Sequence, residues 1–73
     1  MKMQIQGEVI EIQELTDGRI YKVLHQNGAG KEIADIYYGK RNKKTGQELT
    51  MPDLKLGAIW KGTVRFNGLC FPA

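Results

Sequence analysis

Residues 16–38 have the sequence TDGRIYKVLHQNGAGKEIADIYY, in which turn signals precede and separate two β-rich runs. Asp17-Gly18 is a dipeptide typical of tight hairpins, because both residues accept the positive φ values that such turns need. Residues 27–30 form a second turn cluster. The runs between these signals predict strands over residues 19–26 and 31–38. Together with the β-rich segment that precedes them, they predict a three-stranded meander.

That preceding segment, residues 3–15, changes its hydrophobic phase partway along. Its apolar residues keep one side of an extended strand up to Val9, whereas Ile10 and Ile12 fall on the opposite side. Such a change predicts a β-bulge or a sharp coil. The first strand of a small Greek-key barrel needs this bend because it contributes to both halves of the barrel. Gly7 is expected where the backbone bends or is closely approached.

The second half of the chain begins with a long polar stretch. Residues 39–53 lack a hydrophobic pattern and contain four Lys/Arg residues. A connection of that length in a small domain is usually functional or mobile. Residues 59–66 alternate again, with Trp60 on the side expected to join the core or an interface. Asn67-Gly68 is a strong hairpin signal, after which residues 69–71 predict a short last strand.

This layout predicts an all-β protein, a five-stranded OB-fold-like Greek-key barrel with a long basic loop between strands 3 and 4. The connection at that place in an OB-fold often carries a helix. A five-stranded SH3-like barrel is the main structural alternative. We expect one domain over residues 1–73, because a chain of 73 residues leaves no room for a second core. A chain this short buries only about 60% of its unfolded surface, so we expect barrel closure or pairing with a second copy.

Charge is distributed unevenly along the chain. The net charge is +3 at pH 7, but residues 1–35 sum to −2 and residues 36–73 to +5. This asymmetry suits a domain that turns one face to a polyanion, and it also suits a soluble protein with no such partner.

Targeting, membrane and disulfide signals are sparse. The single cysteine, Cys70, excludes an internal disulfide, and its apolar neighbours predict a small buried side chain. No apolar run approaches a membrane span, so we expect an intracellular, cytoplasmic protein with no membrane partner.

Basic and aromatic side chains are the candidates for a binding site. Single-stranded nucleic acid is held by cations that follow the phosphates and by aromatic faces on which bases stack. On the third strand Tyr37 is expected to face outward and Tyr38 to join the core, whereas the inward face of the second strand stays open. The predicted nucleic-acid-binding residues are Arg19, Tyr21, Lys22, Tyr37, Lys40, Arg41, Lys43, Lys44, Lys61 and Arg65. The alternative for the basic stretch is a solvated loop that only keeps the protein soluble.

Catalysis, metal binding and cofactor binding find little support in the sequence. His25 has no serine or cysteine partner at a suggestive spacing. The carboxylates of residues 8–17 are typical of the solvent face of an amphipathic strand rather than of an acid–base pair. Residues 28–30 open no helix, so they do not fit a phosphate-binding loop. With one Cys and one His, a zinc site of Cys and His ligands is excluded within one chain. We expect a protein that is not an enzyme and has no cofactor.

Three segments resemble the small single-stranded DNA-binding proteins of filamentous phages. They are MKMQIQGEV at residues 1–9, RIYKVL at 19–24 and LKLGAIWKGTVRFNGLCF at 54–71. The resemblance is one of pattern and length without a diagnostic motif. It implies a symmetric homodimer that coats single-stranded DNA during phage replication, in the cytoplasm of the host.

A second resemblance is to bacterial translation initiation factor 1, an OB-fold that binds ribosomal RNA. It rests on QGEV at residues 6–9, YKV at 21–23, NG at 27–28, and ADI at 34–36 followed by GKR at 39–41. Residues 45–52 and the ending NGLCF depart from that family. We therefore expect single-stranded DNA as the partner, with RNA or the ribosome as one alternative and a small protein-interaction module as another.

Overall fold

The computed structural model describes residues 2–42, 44–67 and 69–72, and these form a closed five-stranded β-barrel. The strands are β1 (Lys2–Glu14), β2 (Gly18–Asn27), β3 (Gly30–Gly39), β4 (Ile59–Asn67) and β5 (Leu69–Pro72). Their order around the barrel is β1-β2-β3-β5-β4, with β4 returning to β1. All pairs are antiparallel except β3 with β5, which are parallel. The prediction of an all-β, five-stranded OB-fold-like barrel is confirmed.

β1 closes the barrel because it pairs with two strands. Its first half pairs with β4, from Lys2 opposite Arg65 to Glu8 opposite Ile59, and its second half pairs with β2. The β2 register shifts between Val9 and Glu11, leaving Ile10 as the extra residue of a bulge. The bulge therefore lies where the hydrophobic phase changes in the sequence.

The backbone of β2 closely approaches Gly7 of β1. A Cβ at this position would lie 2.2 Å from the carbonyl oxygen of Leu24. Since no side chain can occupy that space, the predicted role of Gly7 is confirmed.

The turn between β1 and β2 differs in its backbone conformation from the turn that the sequence predicts. Neither Asp17 nor Gly18 has positive φ. Glycine is required at position 18 for space instead, because a Cβ there would lie 2.5 Å from the carbonyl oxygen of Tyr38. The strands are so close at this end of the barrel that the turn packs directly on β3.

The core contains the inward side chains of all five strands. On β2 the inward residues are Tyr21, Val23 and His25. The sequence alone does not decide which face of this strand points into the core. Trp60 is buried as predicted, and its indole Nε1–H donates to the Tyr38 hydroxyl at 2.8 Å. The buried apolar set is Ile5, Val9, Ile20, Tyr21, Val23, Ala34, Ile36, Trp60, Val64 and Cys70.

The connection between β3 and β4 begins with a small antiparallel arm, of which the structure describes residues 40–42 and 44–49. Arg41 forms an isolated antiparallel β-bridge with Glu48, and the backbone N–H of Leu49 donates to the carbonyl of Lys40. The side-chain oxygen of Asn42 accepts a hydrogen bond from the backbone N–H of Lys44. Helix is absent from the part of this connection that the structure describes.

Residues 50–58 form neither helix nor strand, make a turn at residues 55–58, and pack Leu54 and Ala58 against the core. The Tyr21 hydroxyl holds this segment by donating to the Pro52 carbonyl at 2.8 Å and accepting from the Leu54 N–H at 3.2 Å.

Among the described residues there is no helix with the length and apolar character needed to span a membrane.

Candidate nucleic-acid interface

An open groove of about 1360 Å³ runs along the outside of the barrel where the arm meets β3, β4 and β5. One side is formed by the β1–β2 turn and the arm, with Asp17, Lys40 and Glu48 among its residues. The other side is formed by Arg65, Phe71 and Pro72 of β4 and β5. The groove is thus assembled from segments far apart in sequence.

Two aromatic rings lie between the sides of the groove. Tyr37 and Phe71 meet edge to face, with centroids 5.7 Å apart and planes at 74°. Both side chains are half-buried, and the Tyr37 hydroxyl lies 3.5 Å from the Asp17 carbonyl oxygen. The outward orientation predicted for Tyr37 agrees with this placement. Both residues line the groove, so the pair contributes aromatic surface to it.

Arg65 is the cation on the β4 side of the groove. Its cross-strand neighbours are Phe71 on β5 and Lys2 on β1. Within the described parts of the chain it forms no ion pair with a carboxylate. Lys61 lies four residues earlier on the same exposed face of β4, about 13 Å away along the strand. The basic stripe of Lys61 and Arg65 is therefore exposed, and Lys2 extends it onto β1.

Two cations of the arm, Lys40 and Arg41, lie near carboxylates. The Lys40 Nζ lies 3.8 Å from Glu14 and donates to the Leu15 carbonyl at 3.3 Å. The Arg41 guanidinium lies 3.8 Å from the Glu48 carboxylate. Lys44 is exposed at the tip of the arm but does not line the groove, and Lys43 lies outside the described residues.

Arg19, Tyr21 and Lys22 lie outside the groove. The Arg19 guanidinium contacts Glu14 and donates to the Tyr21 hydroxyl at 2.8 Å; these hydrogen bonds, the one to Tyr21 first, raise the pKa of Arg19. Lys22 is half-buried on the outer face of β2, where it pairs with Asp35 at 3.4 Å.

Tyr21, predicted as a nucleic-acid-binding residue, is not accessible to a ligand. It is completely buried, with its ring against Tyr38, so it offers no face on which a base could stack. The register of β2 explains this, because Tyr21 is opposite the buried Ile36. Tyr21 is therefore not part of the candidate interface.

Two carboxylates, Asp17 and Glu48, share the groove with the cations. Glu48 faces Arg41, whereas the Asp17 carboxylate takes part in no hydrogen bond or ion pair among the described residues. The groove is therefore electrostatically mixed, with positive charge at Arg65 and negative charge at the turn.

The side chains that most often carry nucleophilic or acid–base chemistry lie inside the barrel instead of in the groove. Cys70 is 5% exposed and His25 is 6% exposed. Burial, followed by the charges of Asp35 and Glu32, raises the pKa of the Cys70 thiol, which keeps it protonated near neutral pH. No cluster of three or more His, Cys, Asp or Glu side chains suited to a metal ion occurs in the described part of the chain.

Sequence reasoning missed Phe71, Lys2, Asp17 and Glu48 as members of this surface. Phe71 could have been found only from the register of the last hairpin, which places it opposite Arg65. Lys2 follows from the β1–β4 pairing, which is equally non-local. Of the predicted residues, the groove brings together Tyr37, Lys40, Arg41 and Arg65.

Comparisons with protein-family models, with curated proteins and with solved structures returned no match for this chain.

Proposed function

We propose that this protein binds single-stranded DNA in the groove and acts by binding alone, without catalysis. The observation that carries the proposal is the aromatic pair Tyr37–Phe71 beside Arg65, a cation with no carboxylate partner in the described structure. Stacking on aromatic rings together with cations along the backbone is how single strands are bound without strong sequence preference.

The aromatic pair supports binding through the bases. A single strand exposes the faces of its bases, whereas a duplex buries them in its own stack. Stacking on an aromatic side chain contributes about 1–3 kcal/mol per base. We therefore expect single strands to bind more tightly than a duplex of the same sequence.

The basic stripe supports a path for the phosphates. Arg65 lies at the groove, and Lys61 and Lys2 continue the positive charge over the outer faces of β4 and β1. The neutral side chains of Gln4, Gln6 and Thr63 lie between these cations. Because each neutralised phosphate releases counterions, the affinity should fall steeply as salt is raised.

Fluorescence anisotropy with a labelled single-stranded oligonucleotide, titrated over a series of salt concentrations, tests the proposal. We expect binding at low salt that weakens linearly in log–log coordinates. Arg65→Gln should weaken binding, whereas Lys55→Gln, which removes an exposed charge away from the groove, should not. Absence of binding by the unmodified protein at low salt would refute the proposal.

DNA is proposed over RNA because of the phage-type resemblance. The stacking and phosphate contacts described above are chemically open to both, and only RNA carries a 2′-hydroxyl. Competition between DNA and RNA oligonucleotides of matched sequence separates the two. A clear preference for RNA would contradict DNA binding and favour the alternative function, RNA or ribosome binding.

A homodimer is the second part of the proposal, and an exposed apolar row supports it. Ile59, Leu24 and Ile33 lie on the outer faces of β4, β2 and β3. Glu8 of β1 lies between Ile59 and Leu24, since it is opposite both. Ile59 is 61% exposed and Ile33 is 54% exposed. A second copy of the chain would cover this row, and Glu8 of one copy can approach Lys61 of the other.

Light scattering coupled to size-exclusion chromatography tests the dimer. Ile59→Glu should convert a dimer to a monomer, because it replaces an apolar side chain that the second copy would cover with a charged one. Leu49→Glu adds the same charge to an exposed leucine of the arm, away from the row, and should leave the dimer intact. A monomeric unmodified protein at high concentration would refute the dimer and leave the DNA-binding proposal standing.

A further inference from the structure

Asp17 is an acidic residue that lines the groove, and its negative charge does not favour the binding of phosphates. A negative charge beside a bound polyanion weakens binding unless it meets a hydrogen-bond donor of the ligand. Asp17 lines the groove and is exposed, and its carboxylate has no partner among the described residues.

We propose that Asp17 selects bases that carry an exocyclic amino group, so that the groove prefers cytosine to thymine. This inference rests on the proposed function, since it concerns the bases of a bound single strand. It assigns Asp17 the role of a specificity-determining residue.

The position of Tyr37 directs the edge of a stacked base toward Asp17. The Tyr37 hydroxyl end lies against the β1–β2 turn, 3.5 Å from the Asp17 carbonyl oxygen and 2.9 Å from where a Cβ of Gly18 would be. Phe71 packs against the ring of Tyr37, with Arg65 as its cross-strand neighbour. A base on this aromatic pair therefore lies between Arg65 and the turn.

The distribution of charge across the groove orients the strand. Among the arm residues that line the groove, Lys40 and Arg41 each lie 3.8 Å from a carboxylate, of Glu14 and Glu48, which offsets part of their charge. Arg65, on the opposite side, has no such partner in the described residues. Phosphates accordingly bind at Arg65, and the edges of the bases face the turn.

The chemistry of the two pyrimidines then decides which is favoured. Cytosine has an amino group at C4 that donates to a carboxylate, and thymine has a carbonyl oxygen at the same position. The Asp17 carboxylate thus gains a hydrogen bond from cytosine and meets a second acceptor in thymine. One such hydrogen bond corresponds to about a threefold to tenfold difference in affinity.

The test compares oligonucleotides of about twelve nucleotides, one of cytosine alone and one of thymine alone, at mildly alkaline pH where cytosine is unprotonated. The unmodified protein should bind the cytosine oligonucleotide about threefold to tenfold more tightly. Asp17→Asn should abolish or invert this ratio, because the amide can donate to the thymine carbonyl. Asp53→Asn makes the same chemical change at an exposed site outside the groove and should preserve the ratio.

The other outcomes overturn the inference in distinguishable ways. If Asp17→Asn tightens binding of both oligonucleotides by the same factor, Asp17 only repels phosphates. If the unmodified protein binds both equally, Asp17 reads no base, while the proposed function stands. If it binds neither at low salt, the proposed function fails and the inference fails with it.

Discussion

The indole nitrogen of Trp60 donates a 2.8 Å hydrogen bond to the hydroxyl of Tyr38, joining the start of β4 to the end of β3 inside the barrel. These two strands are not neighbours in the sheet, so the bond crosses the interior between them. Trp60 is 6% exposed, and its ring lies over Gly62, where a Cβ would be 2.8 Å from the indole. The single tryptophan is thus both a core residue and a built-in fluorescence reporter.

The first prediction concerns this hydrogen bond. Tyr38→Phe should lower the free energy of unfolding by about 1–2 kcal/mol, because it leaves the buried Trp60 N–H without its acceptor. Urea denaturation followed by Trp60 fluorescence measures the change. Tyr37→Phe is the matched control, since its hydroxyl makes only a 3.5 Å contact at the surface and its loss should change stability little.

The second prediction concerns the close approach at Gly7. Gly7→Ala should destabilise the barrel by more than about 2 kcal/mol, because its Cβ would lie 2.2 Å from the Leu24 carbonyl oxygen and the backbone must move. Gly28→Ala is the control, as a Cβ there meets nothing within 4 Å. Equal thermal stability of the two variants would contradict the packing described for β1.

The third prediction concerns the Tyr21 hydroxyl, which holds the connection between β3 and β4 at Pro52 and Leu54. Tyr21→Phe should release that segment while keeping the ring in the core. We expect faster hydrogen exchange at the Leu54 amide and a loss of about 1–2 kcal/mol in stability. Unchanged exchange at Leu54 in this variant would show that packing alone holds the segment.

The fourth prediction concerns Cys70. Burial raises the pKa of its thiol in the folded state, so folding favours the protonated form. The stabilisation is complete below the pKa of an unfolded thiol and is lost as the pH rises through the folded-state pKa. Unfolding measured across the alkaline range should show this decline, and Cys70→Ala should lessen it. The thiol should also resist alkylation until the protein unfolds.

The fifth prediction concerns the salt dependence of oligonucleotide binding. Arg65→Gln should reduce the slope of log affinity against log salt by about 0.7, the value for one phosphate contact on a single strand. Lys55→Gln should leave the slope unchanged. An unchanged slope in Arg65→Gln would place the phosphates elsewhere, with Lys61 and Lys2 as the next positions to test.

Local sequence signals were sufficient for the strands but not for the groove. The phase change near Ile10, the meander and the final hairpin are visible within short windows, and the structure has each of them. The φ values of the Asp17-Gly18 turn were predicted wrongly, because the packing of β3 against Gly18 overrides the local preference.

The members of the candidate interface depend on long-range register. A two-residue loop at Asn67-Gly68 would place Cys70 opposite Arg65, whereas the structure places Phe71 there and turns Cys70 inward. A shift of one residue exchanges the two faces of a strand. In the same way, the carboxylate that engages Lys40 is Glu14, 26 positions earlier in the chain, and no local pattern connects the two.

Ile10 is the extra residue of the bulge in β1. The number of residues in this strand therefore matters more than which side chain stands at position 10. If Ile10 were deleted, Val9, Glu11 and Ile12 would still alternate inward, outward and inward, so the hydrophobic pattern would look more regular than it does now. The strand would lose the extra residue that bends it between β4 and β2. Since Ile10 is 40% exposed, many side chains should be accepted at this position, whereas its removal should open the barrel.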